Sequence, residues 1–345
     1  MKKVLVFAPA SIGNIGPGFD LLGMAIAGMG DTVIATKVSR LGVTISQITG
    51  GEGLPSRPDQ NTAGIAAQAV LTKLNAKERR TSPAGRTSPA GRTSPAGATC
   101  PAGVDLILHK GVLGTGLGSS AASAVAAAYA TNLLFGNMLT KSELIPLAAA
   151  AESAVSGGFF LDNIGPSMMG GVTWNNPKTG EVVPLGVIKK AIMVIAVPDF
   201  PLLTRESRKC LPPVVTMEQF ISNMAYASMM AYAVSKKDVA RFGQSIQDIV
   251  AEPCRAPLIK GFDAVKKGAI AAGALGCSIA GAGASVFAIT DDSKKATKIG
   301  AAMLAGFRQH KVTAKIIVTG MDNRGARKIS SLSAPFEDGR KSRDR

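Results

Sequence analysis

Between residues 114 and 120 the chain reads Gly-Thr-Gly-Leu-Gly-Ser-Ser, and an alanine-rich stretch follows directly. Glycine at every second position excludes a strand, because each glycine forfeits a side-chain face of the sheet. It frees the backbone to turn successive N–H groups toward one point and lets a bulky anion come close. The alanine-rich stretch predicts a helix to about Phe135 whose first turn holds Ser119 and Ser120. The unsatisfied N–H groups at its start and the positive end of its dipole complete an anion cradle. The segment has neither the Gly-Lys-Ser/Thr of a P-loop nor the G-x-G-x-x-G of a dinucleotide fold. Taken alone it leaves a plainer reading open, a glycine turn closing a β-α unit with serines that cap the helix.

The flanking chain predicts short strands interleaved with helices. Apolar or alternating runs mark strands at Val4–Phe7, Asp31–Val38, Gly42–Ile48, Val104–His109, Ile192–Val197, Ser285–Thr290 and Lys315–Thr319. Helical spacing marks Asn61–Leu74, Ser142–Ser156, Met217–Ser235, Asp238–Ile249, Phe262–Ala272 and Lys294–Phe307. A chain of 345 residues is long for one domain and comfortable for two. The turn Asn175–Gly180 sets the expected boundary, with a first domain over 1–180 and a second over 181–329. Arg-Thr-Ser-Pro-Ala-Gly occurs three times in tandem from Arg80 to Gly97. Recurrent proline forbids a helix and nothing there is large enough to bury, so a disordered surface insert over about 78–99, with no catalytic part, is expected. A basic, flexible tail is expected over 330–345.

Composition narrows the function. The net charge of +16 raises nucleic acid as a partner, but about half of the excess sits in Asn75–Arg92 and Arg324–Arg345. With three Tyr and one Trp there is no stacking surface for single strands. No nucleic-acid partner is therefore expected, and a basic balance suits an enzyme of polyanionic nucleotides. Cys100, Cys210, Cys254 and Cys277 lie far apart, which offers neither a zinc site nor a disulfide framework and favours a reducing, cytoplasmic setting. Two histidines make a Ser/His/Asp triad an unpromising reading. The opening apolar run stops at Pro9, too short for a secretory leader, and the alanine runs are too interrupted to span a membrane.

Three glycine-punctuated segments in fixed order change the balance for the loop: Pro9–Gly23, the loop itself, and Ser278-Ile-Ala-Gly-Ala-Gly-Ala-Ser285. Together they resemble the three motifs of the GHMP kinases. Pro9-Ala-Ser…Asn14…Gly18-Phe-Asp20…Leu22-Gly, Leu161-Asp-Asn-Ile-Gly-Pro166, Thr204-Arg-Glu-Ser-Arg208 and Glu252-Pro-Cys-Arg255 are similar to the homoserine kinase branch. The resemblance runs from about residue 3 to 328, broken by the repeat insert. It implies an α+β two-domain GHMP kinase fold, the N-terminal domain ribosomal-protein-S5-like and the C-terminal domain a ferredoxin-like α/β sandwich. It implies phosphorylation of the side-chain hydroxyl of L-homoserine by ATP with Mg²⁺, a step toward threonine. Another small hydroxy acid such as threonine or shikimate stays open as substrate, as does a catalytically silent binding protein; a homodimer is compatible with either.

The resemblance also implies roles for single residues. Val112, Leu113, Gly114, Thr115, Gly116, Leu117, Gly118, Ser119, Ser120, Ala121 and Ala122 would surround the ATP phosphates, with Asn61 in the adenine pocket. Ser120 and Glu152 would serve Mg²⁺, a hard ion that takes oxygen ligands. Small side chains around Glu152 on its helix leave that carboxylate within a ligand's reach. Asp20 and Asn163 would take the substrate ammonium, Arg208 and Arg255 its carboxylate in a bidentate grip. Asn14 would orient the attacking hydroxyl, and Thr204 and Gly283 would complete the pocket. Asn163 stands where sugar and mevalonate kinases of the superfamily carry an aspartate; it cannot accept a proton, so no protein base is expected there. Asp162 is expected to lie on an extended turn with its side chain pointing away. Two departures stand out: Phe160 replaces a histidine frequent in the family, and Val112 a proline.

Overall fold

The computed structural model of the protein describes residues 1–81, 102–112, 114, 116–156 and 158–331. In chain order its elements are β1 (Lys3–Ile12), β2 (Leu22–Val38), β3 (Val43–Thr49), α1 (Thr62–Thr81), β4 (Gly103–His109), α2 (Ser119–Leu134), α3 (Lys141–Ser156), α4 (Leu161–Met169), β5 (Val172–Asn175) and β6 (Val182–Gly186). Then come β7 (Ile192–Pro198), α5 (Thr204–Lys209), α6 (Met217–Lys236), α7 (Val239–Gln244), α8 (Ala251–Arg255), α9 (Phe262–Ala271), β8 (Gly276–Ile279), β9 (Val286–Thr290), α10 (Ser293–Gln309), β10 (Ala314–Thr319) and β11 (Arg327–Lys328).

The first sheet has the order β11-β1-β2-β4-β3, with β5 added to β2 and β6 to β5. Period-two alternation decides its faces. Val4, Val6 and Ala8 of β1, Val33 and Ala35 of β2, and Val104, Leu106 and Leu108 of β4 point together into one core. Ala66, Val70 and Leu74 of α1 and Ala124, Val125 and Ala128 of α2 close over them. Helix α2 is buried over most of its circumference, which explains its alanines. Small side chains let α1, α3 and the sheet all press against it.

The second sheet is antiparallel with order β10-β7-β9-β8, the ferredoxin-like arrangement. Alternate residues again face opposite ways. Val194, Ala196, Val286 and Ala288 pack under α9 and α10 with Val265, Ile299 and Met303. Met193, Ile195, Phe287 and Ile289 join a different core that also holds Ile12, Ile15 and Met24 of the first sheet's side and Phe242 of α7. One hydrophobic cluster thus serves both sheets, and the glycine loops lie along its edge. Among the described residues no helix is long and apolar enough to cross a membrane.

The chain forms the two sheets, each packed under its own helices, that the motifs imply, with three differences of detail. The expected boundary near 180 falls inside a hairpin: β6 pairs with β5 of the first sheet, so the crossing lies after Gly186. The end of the expected second domain returns to the first, where β11 pairs with β1 through Val6 with Lys328 and Phe7 with Arg327. The segment Leu161–Met169 is a helix rather than an extended turn, despite Gly165 and Pro166 within it. The insert and tail expectations fall mostly on 82–101 and 332–345, outside the described residues; α1 itself continues to Thr81.

Candidate active site

The phosphate-loop segment is tied down at both ends. Asp31 lies mid-strand in β2, fully buried. Its Oδ1 accepts the N–H groups of Gly111 (3.0 Å) and Val112 (3.3 Å), and its Oδ2 accepts the Ser123 hydroxyl at 2.6 Å. The Lys110 ammonium pairs with Asp31 and also donates to the Ser119 carbonyl and Ser123 Oγ, both at 2.9 Å. Ser119 Oγ donates to the Val112 carbonyl at 2.7 Å, so entry and exit of the loop are pinned together. Between them, the amides of Gly114 and of Gly116 through Ala121 enter no hydrogen bond among the described residues. Ala122 N–H is the first spent, on the Gly118 carbonyl, which starts α2. A row of open donors before a helix N-terminus is a built anion site.

The three glycine segments interlock here. Ser11 N–H donates to the Leu117 carbonyl and Gly281 N–H to the Gly13 carbonyl. Gly116 has φ +85°, and a β-carbon there would collide with the carbonyls of Ala280 and Gly283. Gly281 mirrors it, since a β-carbon there would meet the Gly116 carbonyl. These contacts put backbone against backbone, and only glycine allows that.

Around this knot lies a cleft of about 200 Å³ lined by Asn14, Gly114, Gly116, Gly118–Ala121, Glu152, Phe160, Asn163, Thr204, Arg208 and Arg255, with Leu202, Leu203, Gly281 and Ala282. Ser120 Oγ donates to Glu152 Oε1 at 2.7 Å, and Glu152 is 5 % exposed. A hydroxyl and a carboxylate so placed, beside open amides, are the oxygen ligands a Mg²⁺ ion accepts while it keeps phosphate and water for the rest. The pair therefore fits the ion.

The opposite wall is cationic. Arg255 is 3 % exposed; its Nε and Nη1 donate to the carbonyls of Ser207 (3.2 Å) and Gly281 (3.1 Å), while Nη2 has no partner among the described residues. Burial, followed by the neighbouring Arg208 charge, lowers the Arg255 pKa. Arg208 forms a two-pronged ion pair with Asp20, Nη1 to Oδ2 at 3.2 Å and Nη2 to Oδ1. Aromatic faces hold both guanidinium groups: Phe160 lies 4.6 Å and Phe19 5.1 Å from Arg208, and Phe19 5.1 Å from Arg255. Phe160, in place of the frequent histidine, is thus a platform for Arg208.

Asn14 (φ +51°) and Asp20 (φ +55°) both sit in left-handed backbone, closed into a turn by Asp20 N–H donating to Asn14 Oδ1 at 2.9 Å. Asp162 supports that turn from behind, its Oδ2 accepting Asn14 N–H at 2.8 Å. This corrects the expectation that Asp162 points away. On a helix it is buried under Gly13 and Asn14, and burial plus the Asp20 charge push its pKa up to about 7. Asn163 lies between, accepting the Ser11 hydroxyl on Oδ1 at 3.0 Å.

Four further expectations are revised. Asn61 caps α1: its Nδ2 donates to the Pro55 carbonyl (2.9 Å) and its Oδ1 accepts Ala63 N–H (3.0 Å), so its amide is spent and does not line the cleft. Val112 gives its N–H to Asp31 and buries its side chain, which makes it loop anchor rather than phosphate contact. Ala122 is buried within α2. Gly283 packs on Leu202 and Ile259 outside the cleft. Leu113 and Thr115 lie outside the described residues. Sequence reasoning missed Ser11, Phe19, Asp31 and Lys110 as site residues. Ser11 and Phe19 lie within the first motif and could have been flagged by it; Asp31 reads as one acid in a strand.

The family models for the GHMP kinases N terminal domain and the GHMP kinases C terminal match residues 90–171 and 230–309. A homoserine kinase of Arabidopsis thaliana is 38% identical over 341 residues, 96% of this chain and 86% of that protein. One from Chlorobaculum tepidum is 34% identical over 96% of this chain and its own full length. The crystal structure of a homoserine kinase from Cytophaga hutchinsonii superposes with a TM-score of 0.84 at 34% identity, over 95% of this chain and 98% of that one.

Proposed function

We propose the following chemistry for a chain that belongs to the homoserine kinases, a family within the GHMP kinases: transfer of the γ-phosphoryl group of ATP to the side-chain hydroxyl of L-homoserine. The products are O-phospho-L-homoserine, an intermediate on the way to threonine, and ADP. The observation that carries it is the convergence on one cleft of open loop amides, the Ser120–Glu152 oxygen pair and two arginines.

Phosphoryl transfer asks for positioning and charge stabilisation more than for covalent help from the protein. Gly114, Gly116–Ala121 supply N–H donors to phosphate oxygens. Ser120 and Glu152 would hold Mg²⁺, which when bound neutralises charge on the phosphates. Arg255 takes the substrate carboxylate on its unpartnered Nη2, and Arg208 joins it while Asp20 takes the ammonium as the two give up the ion pair they make with each other. Asn14 steers the hydroxyl. A bond forms between the hydroxyl oxygen and phosphorus as the bond from phosphorus to the bridging oxygen breaks, its electron pair leaving with ADP. Asn163 has no basic lone pair to take the hydroxyl proton, so the proton leaves to a phosphate oxygen or to water.

The decisive experiment measures ADP release from ATP and Mg²⁺ with homoserine, threonine and shikimate in parallel. Homoserine gives the highest kcat/KM; turnover of another alcohol with homoserine inert would remove the assignment. For setting and assembly, free Cys210, Cys254 and Cys277 suit a reducing cytosol. The exposed Met217, Phe220, Ile221, Met224 and Met229 along α6 support pairing of two copies.

A further inference from the structure

We propose that Asp31 is a positioning residue for phosphoryl transfer: it sets the entry of the phosphate loop, and Lys110 cancels its charge so that the loop's anchor does not repel the anion the loop binds. The inference rests on the kinase reading and adds to it a residue that lies outside the three glycine motifs.

The bonding around Asp31 is closed. Each carboxylate oxygen takes two donors, Gly111 and Val112 N–H on Oδ1, Ser123 Oγ and Lys110 Nζ on Oδ2. The three protons of Lys110 have three acceptors, Asp31, the Ser119 carbonyl and Ser123 Oγ. Lys110 and Asp31 are 3% and 0% exposed at their side chains. The network joins residues 110–112, where the loop begins, to residues 119 and 123, where α2 begins. Among the described residues no other side chain of β2 is hydrogen-bonded to both ends.

A glycine-rich strip of amides has many conformations, and only those that aim the N–H groups at one point bind a triphosphate well. Fixing both ends removes most of the others before ATP arrives, the preorganisation that makes fixed dipoles effective. A carboxylate is a good acceptor for two backbone amides, but a bare negative charge under a phosphate site would oppose the ligand. The buried ammonium removes that conflict and, through the Ser119 carbonyl, also holds the first turn of α2. A residue that only stabilised the fold would, when changed, weaken both substrates alike; a loop-setting residue weakens ATP selectively.

The test uses the full chain with three variants, Ser123→Ala, Asp31→Asn and the double change Asp31→Asn with Lys110→Gln. The double change removes both buried charges together, so Lys110 is not left charged and unpaired. Thermal melts report folding, calorimetric titration with Mg-ATP in the absence of homoserine reports nucleotide affinity, and steady-state kinetics report both KM values. Expected in the folded double variant is a loss of Mg-ATP affinity of about tenfold or more, with the KM for homoserine within about twofold of wild type. A folded double variant that binds Mg-ATP like wild type, or that loses both substrates in proportion, overturns the proposal. Should the double variant not fold, Ser123→Ala decides: a rise of about threefold in the KM for ATP alone supports it, and no selective rise overturns it. Wild-type protein that binds no Mg-ATP at all would remove the kinase reading itself, whereas tight binding by wild type and variant together removes only the role of Asp31.

Discussion

Asp162 is a carboxyl group sealed behind the Gly13–Asn14 turn, and its pKa of about 7 in the folded protein stands well above the value of about 3.9 in an unfolded chain. Across that interval the folded state holds a proton that the unfolded state has released. Stability therefore falls as pH rises from about 4 through 7 and is level beyond, the opposite of an ion-paired aspartate. Urea midpoints measured at pH 5 and pH 8 should show wild type losing more than Asp162→Asn, in which no proton can leave. Equal losses would mean that Asp162 is ionised or solvated in the fold. Glu152 makes a different demand. Its partner is Ser120 at 2.7 Å, and Glu152→Ala should lower kcat by about 10²–10³-fold, with the fold intact by circular dichroism. Near-normal turnover would take that carboxylate out of the metal site.

Phe287 of β9 is fully buried on the face of the second sheet that meets the first. Phe287→Ala should cost about 3–5 kcal/mol in urea unfolding, because the two layers around it cannot both collapse into the gap. Elements such as α9 and α10 were legible from the sequence, since their helical apolar spacing agrees with the face they bury. The glycine loop was legible because local chemistry there admits few alternatives. Helix α4 was not, because Gly165 and Pro166 argue against a helix locally and burial of Ile164 and Met168 against the sheet overrules them. The cationic wall of the cleft was readable residue by residue only through its motifs. How Arg208 meets Asp20, or Lys110 meets Asp31, depends on backbone paths 188 and 79 residues long, which no local pattern encodes. Asn61 shows the converse error, a residue assigned through the resemblance whose local cap role uses up its amide.

Besides the core that each sheet keeps under its own helices, one apolar cluster joins Met193, Ile195 and Phe287 to Ile12, Ile15 and Met24 and so ties the two sheets together. Chemical unfolding should then be a single transition seen alike by tryptophan fluorescence, which reports Trp174 of β5, and by backbone dichroism. Two resolved transitions would mean that the shared cluster does not couple the halves. Helix α6 leaves most of its first turns uncovered, with Phe220 at 51% and Met224 at 52% exposure. Light scattering should find wild type as a dimer and a Phe220→Glu, Met224→Glu double variant as a monomer of unchanged secondary structure. A wild type that stays monomeric at high concentration would assign that face to another partner. At the far end of the chain, Arg327 and Lys328 complete the rim of β1, held there by the Arg327–Asp322 ion pair at 2.9 Å. The edge of β1 therefore stays bare until the chain has been translated through β11, and a nascent chain stalled before β11 exposes that edge to any other unpaired strand.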